Sequence, residues 1–143
     1  MLKIYSKLNP QKLLHIVYYR ENIVNDRQEL ISREEIIEPN NFLQVCSLNM
    51  KKGKTFTPHQ HIWKKGPEDV IAQESWCVIS GEVDVSYFDT DGRFLAKVRV
   101  YAGDISVTLE GGHTYECIQD AIVYEYKTGP YTGVENDKVF LNG

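Results

Sequence analysis

The sequence predicts an all-β barrel, and three observations carry that reading. From residue 42 onward, short apolar runs alternate with period two, the pattern of half-buried strands. Turn signals built on Gly and Asp separate these runs at short spacing, as in all-β sandwiches and barrels. Third, His59-Gln60-His61 places two imidazoles at i and i+2, where a strand points both to one face.

The elements follow in order. Residues 42–50 form the first strand, with Cys46, Leu48 and Met50 on one face and Ser47, Asn49 and Lys51 on the other. Lys52-Gly53 closes it, and residues 54–63 make a second strand that carries both histidines. Residues 70–80 are a third, broken by Gly81. Residues 82–87 alternate, with Val83, Val85 and Tyr87 on one face. Asp89-Thr90-Asp91-Gly92 is a hairpin turn, and residues 94–101 return as its partner strand. After Ala102-Gly103-Asp104, the trio Ile105, Val107 and Leu109 marks another strand. Gly111-Gly112 is a tight turn directly before His113, and residues 121–126 end at Gly129-Pro130. Residues 1–41 are an N-terminal extension of edge strands or a dimer arm, and residues 42–143 are the barrel. In the extension, residues 13–19 read as a strand containing His15. Ser32-Arg33-Glu34-Glu35 reads as a helix start that Pro39-Asn40-Asn41 stops.

With 143 residues, the chain has the length of one domain with a core of its own. A net charge of −4 argues against nucleic acid as the main partner. No apolar run approaches the ~20 residues of a membrane helix, and the first residues lack a signal-peptide pattern. The three cysteines, Cys46, Cys77 and Cys117, are far apart and odd in number, so a cytoplasmic setting is expected.

His59, His61, Glu74 and His113 form a ligand set suited to Zn, Fe, Mn or Ni. Glu68 competes with Glu74 for the carboxylate position. Glu74 is favoured because it shares a strand face with Trp76 and Val78, whereas Glu68 stands beside Lys65, Gly66 and Pro67 in a loop composition.

These residues resemble the cupin superfamily. Gly53, five residues, His59, Gln60 and His61 match the first half of its first motif. Glu74, six residues and Gly81 match the second half. Gly103, Gly111 and His113 match the second motif. Twelve residues separate His61 from Glu74 where the motif has three or four, Leu109 stands in place of proline, one residue is missing before His113, and Cys117 replaces the terminal asparagine. Stretches 59–64, 72–76 and 127–131 further resemble small cupin metalloproteins of bacterial capsule and lipopolysaccharide sugar biosynthesis.

The resemblance implies a double-stranded β-helix (a jelly-roll barrel), one divalent transition metal, a sugar-type ligand and a homodimer. A metal in such a site polarises a carbonyl and acidifies the neighbouring C–H, so a base would complete a sugar isomerase or epimerase. Candidate bases are Glu68, Tyr87, Tyr115 and Glu125, with Glu68 and Tyr115 taken as the catalytic residues. Lys64, Lys127 and Tyr131 are the candidate substrate-binding residues. A non-catalytic sugar-binding module with a structural metal and an Fe-dependent dioxygenase are the alternatives.

Overall fold

The structure, a computed structural model, describes residues 1–19 and 32–141. The chain divides into two units, Met1–Ile31 and Ser32–Gly143. In the first unit, β1 (Leu2–Tyr5) and β2 (Leu13–Val17) pair as an antiparallel hairpin with His15 on β2.

The second unit contains β3 (Arg33–Glu35), β4 (Leu43–Met50), β5 (His59–His61), β6 (Trp63–Lys64), β7 (Val70–Ile71), β8 (Glu74–Ser80), β9 (Glu82–Phe88), β10 (Phe94–Tyr101), β11 (Ile105–Thr108), β12 (Gly112–Cys117), β13 (Ala121–Thr128) and β14 (Lys138–Phe140). Two five-stranded sheets form, in the orders β10-β9-β12-β5-β14 and β11-β8-β13-β4-β3, and β6 and β7 make a separate pair. Every ladder in them is antiparallel.

The inner faces of the two sheets make one core. Cys46, Leu48 and Met50 of β4, Trp76 and Val78 of β8 and Val123 of β13 meet Val83 and Val85 of β9 and Tyr115 and Cys117 of β12. Trp76 lies flat on Tyr115, with ring centroids 3.6 Å apart and planes 1° from parallel. Fully burying an aliphatic or aromatic side chain of this kind contributes about 1.5–3 kcal/mol, so this layer ties the sheets together. It also closes one side of the site described below.

Three sequence expectations change. Residues 32–35 do not start a helix: Arg33–Glu35 pairs with β4, placing Arg33 opposite Leu48 and Glu35 opposite Cys46. The ladder continues through Asn49 N–H to the Ser32 carbonyl and Ile36 N–H to the Val45 carbonyl, both at 2.9 Å. Arg33–Glu35 thus lies in the second compact unit, Ser32–Gly143. The expected strand over 54–63 is ladder-paired at His59–His61 and at β6, while Thr55 contributes only an isolated bridge to Glu116. The run 70–80 splits into β7 and β8 at Ala72-Gln73.

In β11 the inward face is the polar one. The apolar trio does mark a strand, but Ile105, Val107 and Leu109 are exposed while Ser106 and Thr108 are buried. Both of these hydroxyls have hydrogen-bond partners. Ser106 meets the Tyr87 hydroxyl at 2.8 Å, and Thr108 meets His113.

Candidate metal centre

Three elements deliver the four expected ligands. β5 aims His59 and His61 to the same inner face, two residues apart, and both are buried. Glu74 is the first residue of β8, and its 4% exposure shows that the carboxylate points inward with Trp76 and Val78. His113 follows Gly112 at the start of β12 and pairs with His59 across the ladder. The turn before it needs glycine: Gly111 has φ +85°, and a Cβ there would stand 2.6 Å from the Phe88 carbonyl oxygen.

Ligand atoms of the four residues all lie within 4.8 Å of one another. His61 Nε2 is 3.2 Å from Glu74 Oε2, and His113 Nε2 is 3.5 Å from Glu74 Oε1. The Nε2 atoms of His59 and His113 are 3.2 Å apart.

The opposite ring nitrogens are all held. His59 Nδ1 is 3.0 Å from the Thr57 carbonyl oxygen. A carbonyl can only accept, so this bond puts the proton on Nδ1 and turns the Nε2 lone pair to the cluster. His61 Nδ1 lies 3.2 Å from the Asp137 carboxylate, and His113 Nδ1 lies 2.7 Å from the Thr108 hydroxyl. Partners of this type orient metal-binding imidazoles and raise their basicity. Lone pairs of buried imidazoles facing one another and a carboxylate repel unless a cation or proton lies between them. The donor set therefore fits a divalent transition metal held by His59, His61, Glu74 and His113.

The electrostatics agree. Burial holds His113 down to about 4, so its imidazole is neutral and ready to ligate. Burial lowers His59 as well, with the nearby Lys138 charge adding to it. Burial also opposes charge on His61, but hydrogen bonds to Asp137 and Glu74 outweigh it and raise that imidazole. Glu74 is buried, which favours its neutral form. The His61 hydrogen bond and the surrounding imidazoles nonetheless hold it at about 2, so it is a carboxylate.

A cavity of 340 Å³ opens beside the cluster, reaching His59 and Glu74. Phe56, Trp76, Tyr115 and Tyr131 supply aromatic wall, and Arg33, Glu125, Lys127 and Lys138 supply charge. Glu125 is buried deep in it, accepting from Trp76 Nε1 at 3.0 Å and from the Arg33 guanidinium at 3.1 Å. Burial raises its carboxyl, and the Glu74 charge raises it further.

The remaining sequence candidates separate. Tyr115 lines the cavity, is 1% exposed, and has a hydroxyl without a hydrogen-bond partner among the described residues. Burial and then the Glu74 charge push its phenol well up, which makes it a donor rather than a base. Glu68 is exposed in the turn between β6 and β7, outside the cavity lining, and takes no part in the cluster. The carboxylate in the cluster is Glu74, and Glu35, Glu74 and Glu125 are the carboxylates of the cavity lining. Lys127 and Tyr131 line the cavity, with the ammonium 4.9 Å from the ring centroid. Lys64 does not line it. Its ammonium meets Asp137 Oδ1 at 3.1 Å and the Pro130 carbonyl at 3.2 Å. Tyr87 is bonded to Ser106, and Cys117 packs in the core with its thiol against Met50 Sδ at 3.8 Å.

Two residues escaped the sequence reading. Asp137 is completely buried and receives His61, Lys64 and Lys127 together. These contacts hold its carboxyl well below the ordinary range against the pull of burial. Lys138, on β14 opposite His61, places its ammonium 3.3 Å from His59 Nε2. Nothing in Glu135-Asn136-Asp137-Lys138 distinguishes it from a solvated surface turn.

No known family model matches the sequence, and no curated protein matches it. Solved structures do. An uncharacterised Klebsiella pneumoniae protein with a double-stranded β-helix domain matches at TM-score 0.61 and 18% identity, over 91% of this chain and 100% of that one. A cupin superfamily protein of Desulfitobacterium hafniense matches at TM-score 0.51 and 9% identity, over 67% of this chain and 74% of that one. CapF, the capsular polysaccharide assembling protein of Staphylococcus aureus, matches at TM-score 0.59 and 18% identity, over 78% of this chain and 29% of that one. At these identities the likeness speaks to fold alone, and it agrees with the two-sheet topology: this protein has a double-stranded β-helix fold, in which the buried His59, His61, Glu74 and His113 could hold a metal ion.

Proposed function

We propose that the protein is a metal-dependent cupin that acts on a small carbohydrate of surface polysaccharide biosynthesis, by isomerisation or epimerisation next to a carbonyl. The observation that carries this reading is the four-ligand cluster opening onto a partly aromatic, charged cavity. At 340 Å³ the cavity lies at the small end of ligand pockets, which suits a monosaccharide better than a whole nucleotide sugar. The likeness to the fold of a capsular polysaccharide assembling protein supports the setting. The three free cysteines support a reducing, cytoplasmic one.

A divalent ion at the cluster would polarise a ligand carbonyl and acidify the adjacent C–H. The chain's own residues do the rest. Trp76 Nε1 and Arg33 fix the Glu125 carboxyl in the cavity wall, and burial and the Glu74 charge raise it above the ordinary carboxylate range, which makes it a stronger proton acceptor when ionised. Tyr115, kept as a phenol by burial, lines the cavity as a hydrogen-bond donor rather than a base. Phe56 and Tyr131 supply wall on which a sugar ring can rest.

The test is solvent-deuterium exchange into D-fructose and D-xylulose by the metal-loaded protein, followed by NMR. Exchange at the carbon next to the carbonyl is expected. Glu125→Gln should slow it by about 10²-fold or more with metal content unchanged. Sugar binding without exchange would instead favour a non-catalytic sugar-binding module, a role consistent with the tight bonding of Glu125 to Arg33 and Trp76.

A further inference from the structure

The cavity runs from an exposed mouth to a buried floor. His59, Glu74 and Glu125 are buried at the floor, whereas Arg33, Glu35 and Pro39 are exposed. A second hollow, open to solvent and 530 Å³ in volume, adjoins that mouth. Glu38, Pro39 and Asn40, between β3 and β4, form one wall, and Pro130, Tyr131 and Thr132, after β13, form the other. Pro39 and Tyr131 line both spaces, so the hollow continues the cavity outward. The two walls are tied together. Tyr131 N–H donates to the Pro39 carbonyl at 3.0 Å. The buried Gln44 amide donates to the Pro39 carbonyl at 3.1 Å and to the Asn41 carbonyl at 2.6 Å. On the other side, the Lys64 ammonium donates to the Pro130 carbonyl at 3.2 Å. Walls fixed in advance lose little order when a ligand binds.

A sugar that reaches the floor has its outer end beside Pro39 and Tyr131. We propose that the substrate continues from there: it is a short glycan whose reacting keto unit fills the cavity and whose next, neutral sugar unit lies in the outer hollow. The inference rests on the carbohydrate reading above and extends its substrate beyond a single sugar unit. Charge selects the class. Glu38 is the only charged residue among the six that line the hollow, so a nucleotide diphosphate there would meet a carboxylate and no cation. A neutral sugar brings hydroxyls instead. The Glu38 carboxylate, the Asn40 amide and the Thr132 hydroxyl are hydrogen-bonding groups suited to them, and the carboxylate makes the stronger, charge-assisted kind of bond. The rings of Pro39 and Tyr131 supply apolar surface for the C–H face of the sugar. Asn40 and Thr132 line the hollow but not the cavity, which makes them residues that select substrate length.

Calorimetric titration of the full chain, loaded with Mn²⁺ or Zn²⁺ and checked for metal content by elemental analysis, decides the point. The ligands are D-fructose, UDP-glucose, and the disaccharides lactulose, maltulose and isomaltulose, in which a second sugar is attached to the same ketose. At least one disaccharide should bind about tenfold or more tightly than D-fructose. The double variant Asn40→Ala/Thr132→Ala should abolish that preference, and Thr132→Trp, which fills the hollow, should reverse it. Both positions are exposed, so the fold should be retained, as circular dichroism would show. If either variant misfolds, Glu38→Gln takes its place and the same preference is read. Binding of D-fructose as tight as that of every disaccharide, or a preference that survives the variants, would overturn the inference and leave the carbohydrate reading standing. Tighter binding of UDP-glucose than of any disaccharide would overturn it in favour of a nucleotide. No binding of any sugar to the metal-loaded protein would overturn both the inference and the carbohydrate reading.

Discussion

Asp137 and Lys138 are chain neighbours that both reach the cluster. Asp137 grips Nδ1 of His61 from behind, and Lys64 and Lys127 hold it in place. Replacing it with Asn keeps the shape and removes the charge that orients and enriches that imidazole. Metal affinity of Asp137→Asn should therefore fall about 10- to 100-fold, measured by competition with a chromogenic chelator, with β-structure retained in circular dichroism. The histidines also set a pH dependence. His113 stays neutral in the fold down to about 4, whereas in the unfolded chain it protonates near 6.5. Between those values the unfolded state binds more protons, so metal-free stability falls as pH drops through this window. Glu74, held at about 2 against an ordinary 4.5, adds a loss below 4.5. His61 is raised, so its contribution runs the other way and is lost as pH rises. Urea midpoints of the metal-free protein should thus decline from pH 6.5 to 4.5, and decline less steeply in His113→Gln. An equal slope in both would remove His113 from the account.

At the scale of elements, β11 shows how the site overrides local preference. A two-residue period through Ile105, Val107 and Leu109 marks a strand correctly, but it says nothing about which face turns inward. The pairing of β11 with β8 places Thr108 opposite Glu74 and Ser106 opposite Trp76. Both hydroxyls then face the interior, where Thr108 meets His113 and Ser106 meets Tyr87. Thr108→Val preserves volume but leaves a buried imidazole nitrogen unpaired, which costs about 1–3 kcal/mol. Chemical denaturation should show that loss along with weaker metal binding, whereas Val107→Thr, on the exposed face, should change neither. The helix expected at residue 32 failed for a related reason. Ser32-Arg33-Glu34-Glu35 has a good helix-start composition, but the ladder with β4 and the Arg33–Glu125 ion pair outweigh so short a local preference.

At the scale of the whole molecule, every ligand and every core residue named above belongs to Ser32–Gly143. A metal that binds only the folded state adds stability in proportion to its occupancy, about 2.7 kcal/mol at a hundredfold excess over Kd. Stripping metal with a chelator should lower the melting temperature by several degrees without unfolding the protein, because the two-sheet core is independent of the cluster. Re-addition should restore it, and His61→Ala, a ligand loss, should abolish the difference. The sequence alone determined the fold class and brought out His59, His61, His113 and a carboxylate, Glu74 or Glu68, as a candidate ligand set. Strand periodicity and the spacing of His59, His61, Glu74 and His113 are local, so they can be read along the chain. Only the tertiary structure decided between Glu68 and Glu74, turned the polar face of β11 inward, moved Lys64 from the ligand to Asp137, and brought Asp137 and Lys138 to the cluster. Those outcomes depend on which strands lie side by side, and burial and charge pairing across a sheet leave no periodic trace in the residues themselves.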